Sequence, residues 1–451
     1  MPSISKSLVA PAYLLACLLL GGSAQGVWQN MALQLAGLGI IAWAGASGDE
    51  VLPRSARAPL LILLVGIGVV LLQSIPLPPG LPVNGLRSRV TDGYALLGQP
   101  VPWLPISLAP FASLDSLFGI IPPLALYCAI LRLGAFRASW VAAALLAGAM
   151  AGIVLGALQI ATPGATSPWY LYHETNRGLA VGFFANANHM ADLLVVSLPF
   201  VAALGAAGRS RSVQRYSALL AILAGAAVLL IVGIVLDGSL AGYLLAIPSL
   251  AVSVLIMAPP SRALRVPVAI VTALALLGAI GALATTSIGS SRIGQDAKGS
   301  VQSRQQILRT TGQAIADTMP VGSGLGSFVR VYRLYESPDR VTPEYVIHAH
   351  NDYAEWILEL GIAGVLLIMA FLAWWAATVF VAWRIGGGGP YARAASIASA
   401  LILVHSLVDF PLRTSAISAA FAMCIALLID RRPEARQDPA DLRPARHVVV
   451  S

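Results

Sequence analysis

The sequence predicts an all-α polytopic membrane protein with about twelve transmembrane helices and one large loop on the outer side. Of its 451 residues, 57% are hydrophobic and only 11% are charged, and the mean hydropathy is +0.79. A soluble domain of this length carries far more charge. Apolar runs of spanning length, roughly 17–25 residues, recur along the chain. Lysines and arginines occur in every second segment that joins these runs and are nearly absent from the short segments between.

The apolar runs define the predicted helices. They lie near 7–22, 27–46, 59–75, 114–133, 138–161, 188–207, 216–236, 239–258, 266–285, 354–383, 392–408 and 413–430. The first run precedes Gly21-Gly-Ser-Ala24, which resembles a signal-peptide cleavage site. We count this run as a helix, because the lysines and arginines along the chain then follow the positive-inside rule. Cys17, Cys128 and Cys424 lie inside apolar runs, so the sequence predicts neither a disulfide framework nor a cysteine metal site.

The basic residues predict the orientation. With the N-terminus in the cytoplasm, the inside segments hold 17 of the 28 lysines and arginines: Lys6, Arg54, Arg57, Arg132, Arg137, Arg209, Arg211, Arg215, Arg262, Arg265, Arg384, Arg393, Arg431, Arg432, Arg436, Arg443 and Arg446. The others lie outside, mainly in three longer loops. This distribution follows the positive-inside rule. The net charge of +8 therefore sets the orientation and predicts no nucleic-acid partner.

Four regions follow from this topology. They are 1–285 with helices 1–9 and outer loops 76–113 and 162–187, the large outer loop 286–352, 353–430 with helices 10–12, and a disordered cytoplasmic tail 431–451. The loop 76–113 is rich in Pro and Gly, and we expect it to lie along the interface without a stable core. The large loop is too long for a bare connector.

Two parts of the large loop have predictable structure. Gln302 to Ala316 has apolar residues at helical spacing, which predicts an amphipathic helix. Pro320 and the glycines 322, 324 and 326 predict a turn after it.

Chemistry-bearing residues concentrate where this loop meets the next apolar run, at His348-Ala-His350-Asn351-Asp352. Asn or Asp at a helix start, with Glu355 three residues after Asp352, predicts an N-cap with a capping-box partner. His350 would then lie beside free backbone N–H groups, where a cation is disfavoured, so its imidazole should stay neutral and accept a proton. The same helix end attracts anions. The alternative is a polar cap that only anchors a helix end at the interface.

Other polar groups fall on the same side of the predicted membrane. Outer positions hold His173, His189, His348, His350, His405, Arg177, Arg304, Arg309, Arg330, Arg333 and Arg413, whereas His447 is in the tail. His405 and Asp409 are spaced i,i+4 and so share a helix face. Each group alone could be an interface anchor, but ionisable groups at membrane depth usually line a cavity. Together they predict an outward-facing polar cavity.

The residue types narrow the chemistry of this cavity. There is no HExxH pattern or Asp-rich run, and the arginines would repel a metal cation. Neither a GxSxG nucleophile elbow nor a Walker A motif is present. A histidine base with arginines remains, and this combination suits transfer from a lipid-linked diphosphate donor, because Arg binds phosphate oxygens and the base activates a hydroxyl.

The motifs also resemble a known family. His350-Asn351, nine residues and then Gly361-Ile-Ala-Gly364 match H-[NSQ]-x9-G-x-x-[GTY]. This pattern is typical of the bacterial O-antigen ligase, O-antigen (Wzy-type) polymerase and protein O-oligosaccharyltransferase superfamily. The stretches 177–191, 303–326 and 405–413 are similar to its other signatures, so the resemblance covers about 165 to 430.

The resemblance implies a metal-independent, inverting glycosyltransferase of GT-C type without a cofactor, at the periplasmic face of the bacterial inner membrane. Its donor would be an undecaprenyl-diphosphate-linked glycan, with His350 as the catalytic base and Arg304 on the diphosphate. Many members carry Ser-Arg where this chain has Ser239-Leu240, so Arg177 or Arg413 would have to substitute. Residues expected to support the base or contact the acceptor are His348, Asn351, Glu355, Asn188, His189 and Asp409.

Several functions stay open at this stage. A polymerase or exopolysaccharide enzyme would use another lipid-linked glycan as acceptor, whereas a ligase would use lipid A core. A transporter or flippase of lipid-linked oligosaccharide is the rival from another class, although polar residues on one face disfavour alternating access. A non-catalytic assembly scaffold is a third rival. Expected partners are the donor, the acceptor, membrane lipids and a chain-length regulator.

Overall fold

The computed structural model describes residues 4–24, 26–47, 52–81, 83–162, 164, 167–257, 292–341, 345–384 and 387–429. The described part is helical, with one isolated bridge between Leu77 and Leu104 and no longer strand. The predicted helix 266–285, Arg262, Arg265 and the tail 431–451 lie outside the described residues.

The described α-helices are numbered here in chain order. The first eight are α1 (Ile4–Ser7), α2 (Val9–Leu20), α3 (Val27–Ser47), α4 (Arg54–Gln73), α5 (Gly85–Leu96), α6 (Pro110–Phe118), α7 (Ile121–Leu131) and α8 (Ala138–Ala161). The others are α9 (Ala187–Ala207), α10 (Val213–Asp237), α11 (Leu240–Met257), α12 (Arg292–Thr318), α13 (Phe328–Tyr332), α14 (Asp352–Trp383), α15 (Pro390–His405) and α16 (Ser415–Ile429).

Seven of the described helices are long and apolar enough to cross a membrane. They are Arg54–Gln73, Pro110–Leu131, Ala138–Ala161, Ala187–Ser210, Val213–Asp237, Leu240–Met257 and Asp352–Trp383. The spans Ile4–Leu20 and Ser415–Ile429 are apolar but shorter. The prediction of a multi-pass, all-helical membrane protein is therefore confirmed, while the number twelve and the GT-C type stay predictions.

The helix α9 lies at the centre of the bundle, in contact with α8, α10, α11 and α15. Small residues allow neighbouring helices to approach closely. A Cβ on Gly242 of α11 would lie 2.7 Å from Ala191, and a Cβ on Gly152 of α8 would lie 2.8 Å from Met190 of α9. This packing fixes the N-terminal end of α9, which carries Asn188 and His189.

The outer loop 76–113 is folded, which corrects our expectation that it lacks a stable core. Asn84 caps α5, since its side chain accepts the backbone N–H of Arg87 at 2.9 Å. The buried guanidinium of Arg87 donates to the carbonyls of Leu104 at 2.6 Å and Pro105 at 3.0 Å. These bonds satisfy backbone groups that a Pro-rich segment cannot pair in a ladder. A single buried arginine thus gives the loop its own hydrogen-bonded centre.

The large outer loop packs against this first loop. The predicted amphipathic helix is confirmed and is longer than expected, Arg292–Thr318. Leu86 of α5 packs in one apolar cluster with Ile307 of α12 and Phe328 of α13. The side-chain amide of Asn84 donates to the carbonyl of Gly322 at 3.0 Å. The two loops therefore form one layer over the helix ends.

The motif residue Gly361 breaks α14 into two helical parts, with φ +63° and ψ −141°. The break frees carbonyls in the first part, and the glycine-rich turn after Pro320 binds them. Backbone N–H groups of Ser323 and Gly324 donate to the carbonyls of Leu358 and Glu359 at 3.0 and 2.9 Å. The second part returns one bond, from the N–H of Ile362 to the carbonyl of Pro320 at 2.9 Å. The turn and the broken helix are thus one hydrogen-bonded unit.

Candidate active site

His350 lies directly before the first turn of α14, as the sequence predicts. The helix is capped by Asn351, whose Oδ1 accepts the N–H of Ala354 at 2.8 Å. The Nδ2 group of Asn351 donates to the carbonyl of Leu407 at 2.8 Å. His350 itself has φ +50°, a left-handed conformation that is uncommon for a residue with a Cβ. The cap therefore holds the histidine in a backbone geometry that the surrounding contacts must maintain.

Glu355 does not close the predicted capping box. The cap is Asn351, so Glu355 is the fourth helical residue and lies past the position that reaches back to the cap. Its Oε2 instead accepts the N–H of Ala349 at 2.8 Å, and its Oε1 lies 2.9 Å from Nδ1 of His348. Glu355 is thus brought to the histidine loop by a different contact from the one expected.

The carboxylate of Asp409 joins the other candidate residues. Its Oδ1 lies 3.3 Å from Nδ1 of His350. Its Oδ2 lies 3.3 Å from the guanidinium of Arg304 and accepts Nδ2 of Asn188 at 2.5 Å. The predicted neighbour His405 lies 3.9 Å from the same oxygen. Residues from four separate segments therefore meet on one fully buried carboxylate.

This setting favours the ionised form of Asp409. Burial by itself would raise the pKa of the carboxyl, but the hydrogen bond from His350 and the positive charge of Arg304 hold that pKa well below its ordinary value. An ionised Asp409 favours the tautomer of His350 in which Nδ1–H donates to the carboxylate and Nε2 has the free lone pair. The imidazole is 26% exposed, so this free nitrogen is within reach of a reactant.

Three imidazoles pack around the ring of Phe410. The ring centroids of His348, His350 and His189 lie 4.2, 5.0 and 5.1 Å from the centroid of Phe410. The sequence interpretation gave Phe410 no role, and its position directly after Asp409 was the only signal. Its ring restricts where the imidazole of His350 can turn.

Asn188 links Asp409 to the place where the family arginine is replaced. The hydroxyl of Ser239 donates to Oδ1 of Asn188 at 2.7 Å. The neighbouring Leu240 is 36% exposed and carries no charge. The sequence interpretation also missed Asp192, whose carboxylate lies 2.7 Å from Nδ1 of His405 inside the bundle. Its spacing of three residues from His189 on one helix face was the available signal.

Arg413 lies in a separate group of buried charges. Its guanidinium lies 3.3 Å from Glu359, 3.4 Å from Glu355 and 3.6 Å from Asp352. Burial would lower its pKa, but the three carboxylates raise that pKa above the ordinary value. Because these anions already compensate its charge, the geometry disfavours the predicted diphosphate role for Arg413. Glu359 was missed, although its i,i+4 spacing from Glu355 places both on one face.

Arg177 lies in the outer loop before α9. Its guanidinium is exposed and lies 5.3 Å from the ring centroid of Tyr170. The hydroxyl of Tyr170 in turn accepts the N–H of Gly178 at 2.7 Å. No contact recorded among the described residues joins Arg177 to Asp409, so its role on a diphosphate stays a prediction.

Comparison with protein-family models gives a match that lies almost entirely in the C-terminal half of the chain. Residues 225–369 match the family described as O-antigen ligase. This match supports the predicted O-antigen ligase and polymerase superfamily. The matched segment contains Arg304, His350 and Glu355, and it ends before Asp409. No curated protein matches the chain.

The match to an O-antigen ligase supports a ligase- or polymerase-type role, with a lipid-linked glycan and an acceptor as substrates in general. The geometry suits such a role, because a base, its carboxylate partner and a cation lie together. Among the described residues, no group of three or more His, Cys, Asp and Glu side chains could hold a metal ion.

Proposed function

We propose that this chain is a membrane glycosyltransferase that moves a glycan from undecaprenyl diphosphate to a sugar hydroxyl at the periplasmic face. The observation that carries the proposal is the meeting of His350 and Arg304 on the buried carboxylate of Asp409. One group can take a proton and the other can bind an anion, so a single cluster of side chains has both halves of the chemistry. The family match supports this reaction class.

The base step belongs to His350. Its Nε2 takes the proton from the acceptor hydroxyl while that oxygen attacks the anomeric carbon of the donor. Asp409 stabilises the imidazolium that forms, since the carboxylate already binds Nδ1. Attack from the face opposite the leaving group inverts the anomeric centre. The new bond is between the acceptor oxygen and the anomeric carbon.

The leaving-group step belongs to Arg304. The bond between the anomeric carbon and the phosphate oxygen breaks, and the electron pair leaves with the lipid diphosphate. An arginine has five N–H donors, and the recorded bond to Asp409 uses one of them. The rest can bind phosphate oxygens in pairs. The positive N-terminal end of α14 adds to the same field, and no metal ion is required.

Two kinds of acceptor hydroxyl fit the proposed reaction. We favour a second lipid-linked glycan, as in a polymerase or exopolysaccharide enzyme, with ligation to lipid A core as the alternative. Candidate contacts for the acceptor are His348 and Asn351, which border His350, together with His189 and Asn188 at the start of α9.

Glycan ladders test the two roles in cells. A deletion strain carrying His350→Ala or Arg304→Ala should show loss of long glycan on gels, because the base or the diphosphate contact is gone. The matched control is Arg309→Ala, an exposed arginine on the same helix as Arg304, which should restore the ladder. Membrane levels of each variant are measured by immunoblot.

Wild-type ladders from stably expressed His350→Ala and Arg304→Ala would refute both roles. Transfer by purified protein with a lipid-linked substrate separates the rivals. A transporter or a scaffold would form no product in that assay, whereas the proposed enzyme would release undecaprenyl diphosphate.

A further inference from the structure

The buried charges around Arg413 lie beneath the candidate active site. The guanidinium is only 18% exposed and faces three carboxylates, which lie within about two turns of α14. We propose that Arg413 is a positioning residue for His350, acting through Glu355 and Glu359, and is not a ligand of the donor diphosphate. The proposal rests on the function proposed above.

The first link runs from Arg413 to the catalytic loop. Its guanidinium lies 3.4 Å from Oε1 of Glu355. The other oxygen of Glu355 accepts the backbone N–H of Ala349, the residue directly before His350. His350 has φ +50°, and such a conformation persists only where neighbouring contacts fix it. Without the guanidinium, Glu355 would be a buried carboxylate without its strongest partner, and its hold on Ala349 would weaken.

The second link runs from Arg413 to the large outer loop. The guanidinium lies 3.3 Å from Oε2 of Glu359, and Oε1 of Glu359 accepts the N–H of Gly326 at 2.8 Å. The carbonyl of Glu359 accepts the N–H of Gly324. This turn continues from the helix that carries Arg304. Arg413 therefore also fixes the position of the large outer loop relative to α14.

The third link fixes the segment that carries Asp409. Nε of Arg413 lies 3.6 Å from Oδ1 of Asp352, while Oδ2 of Asp352 accepts the hydroxyl of Ser406 at 2.9 Å. The N–H of Asp352 donates to the carbonyl of Ser406. Arg413 thus connects the loop that carries His350, the turn that follows the helix of Arg304, and the segment that carries Asp409. A planar guanidinium can serve three carboxylates at once, whereas an ammonium is a point charge.

Steady-state kinetics of the purified full-length protein test the proposal, with undecaprenyl-diphosphate-linked oligosaccharide as the donor. Arg413→Gln should lower kcat by about 10²-fold, because a misplaced base loses its attack geometry. The donor KM should stay within about two-fold of wild type, since ground-state binding is unchanged. Arg413→Lys should recover about a tenth of the wild-type kcat, as it restores the charge without the fork. Arg309→Gln is the matched control.

A raised donor KM with an unchanged kcat would show instead that Arg413 binds the diphosphate, and would overturn the proposal. Wild-type kinetics in Arg413→Gln would overturn it as well. A wild-type protein that forms no product would refute the proposed function, and the positioning link would then be judged by a measurement that needs no activity.

Hydrogen exchange supplies that measurement. In Arg413→Gln and in the charge-balanced Arg413→Gln/Glu359→Gln, amides of 345–351 and 320–326 should exchange faster than in wild type. The helix α5 should not change, because it is held by Asn84 and Arg87. Unchanged exchange in both segments would overturn the proposal. Uniformly faster exchange across the chain, in Arg413→Lys as well, would show a general structural role and would also overturn it.

Discussion

His350 shows how much its proposed catalytic role depends on neighbouring side chains. An imidazole has two nitrogens, and only the one without a proton can act as a base. The contact of Nδ1 with Asp409 decides which nitrogen that is. The ring of Phe410 limits the rotation of the side chain. The proposed proton acceptance by His350 therefore depends on residues that are 59 and 60 positions away in sequence.

Asp409→Asn tests this neighbour. The substituted amide can donate to Nδ1 and so favour the wrong tautomer, and transfer should fall by roughly 10²–10⁴-fold. The side chains remain close in size, so the protein should still fold. The measurement is the rate of product formation by purified protein. Asp339→Asn, at an exposed site in the large loop, is the matched control, and equal rates for both variants would contradict the role of Asp409.

At the scale of elements, the helix α14 is interrupted at Gly361. Gly361 turns the chain into a conformation that side chains rarely adopt, and Pro320 approaches it closely. The interruption exposes carbonyls that the glycine-rich turn then binds. The spacing of nine residues between Asn351 and Gly361 sets the length of the first helical part. The glycine-rich turn after Pro320 and the motif that contains Gly361 are separate in the sequence, and they contact each other in the fold.

Gly361→Ala should damage this contact. A Cβ there would collide with the carbonyl oxygen of Pro320, and the strained φ/ψ alone costs about 1–3 kcal/mol. We expect a lower thermal unfolding temperature in detergent and a lower transfer rate. Gly225→Ala is the control, because a Cβ at Gly225 of α10 meets nothing within 4 Å. Equal unfolding temperatures for the two variants would show that the break in α14 does not need a glycine.

For the whole molecule, the ionisable residues of the candidate site collect at one end of the bundle. The two outer loops pack into one layer there, through the Leu86 cluster and the bond from Asn84 to Gly322. Ionisable groups are costly in a membrane unless they line a functional site. Arg304 in this layer and His350 at the helix end face each other across Asp409, so the layer and the bundle complete the site together.

This charge distribution predicts activity without metal ions. Arg304 would repel a divalent cation and supplies the positive charge that a metal would otherwise bring to the leaving diphosphate. Transfer by purified protein in excess EDTA should therefore equal transfer in added Mg²⁺. A magnesium-dependent glycosyltransferase assayed in parallel confirms that the chelator works. Loss of transfer in EDTA, restored by Mg²⁺, would contradict the proposed mechanism.

Local patterns in the sequence were enough to predict most of the helices and the start of α14. Apolar run length indicated the helices, and the residues at 348–352 indicated a helix start, because both depend on near neighbours in the chain. The amphipathic helix and the glycine turn of the large loop were predicted for the same reason. The loop 76–113 was misjudged, since its stability comes from Arg87 reaching carbonyls 17 and 18 residues away.

By itself, the sequence determined the class of fold, the family and the identity of His350 and Arg304 as candidates. Only the tertiary structure decided which groups meet: Asp409 as the shared partner, Phe410 as the packing centre, and Arg413 in a carboxylate group of its own. The physical reason is range. Helix formation follows from contacts within about four residues, whereas the direction of a buried side chain is set by segments that only the folded chain brings together.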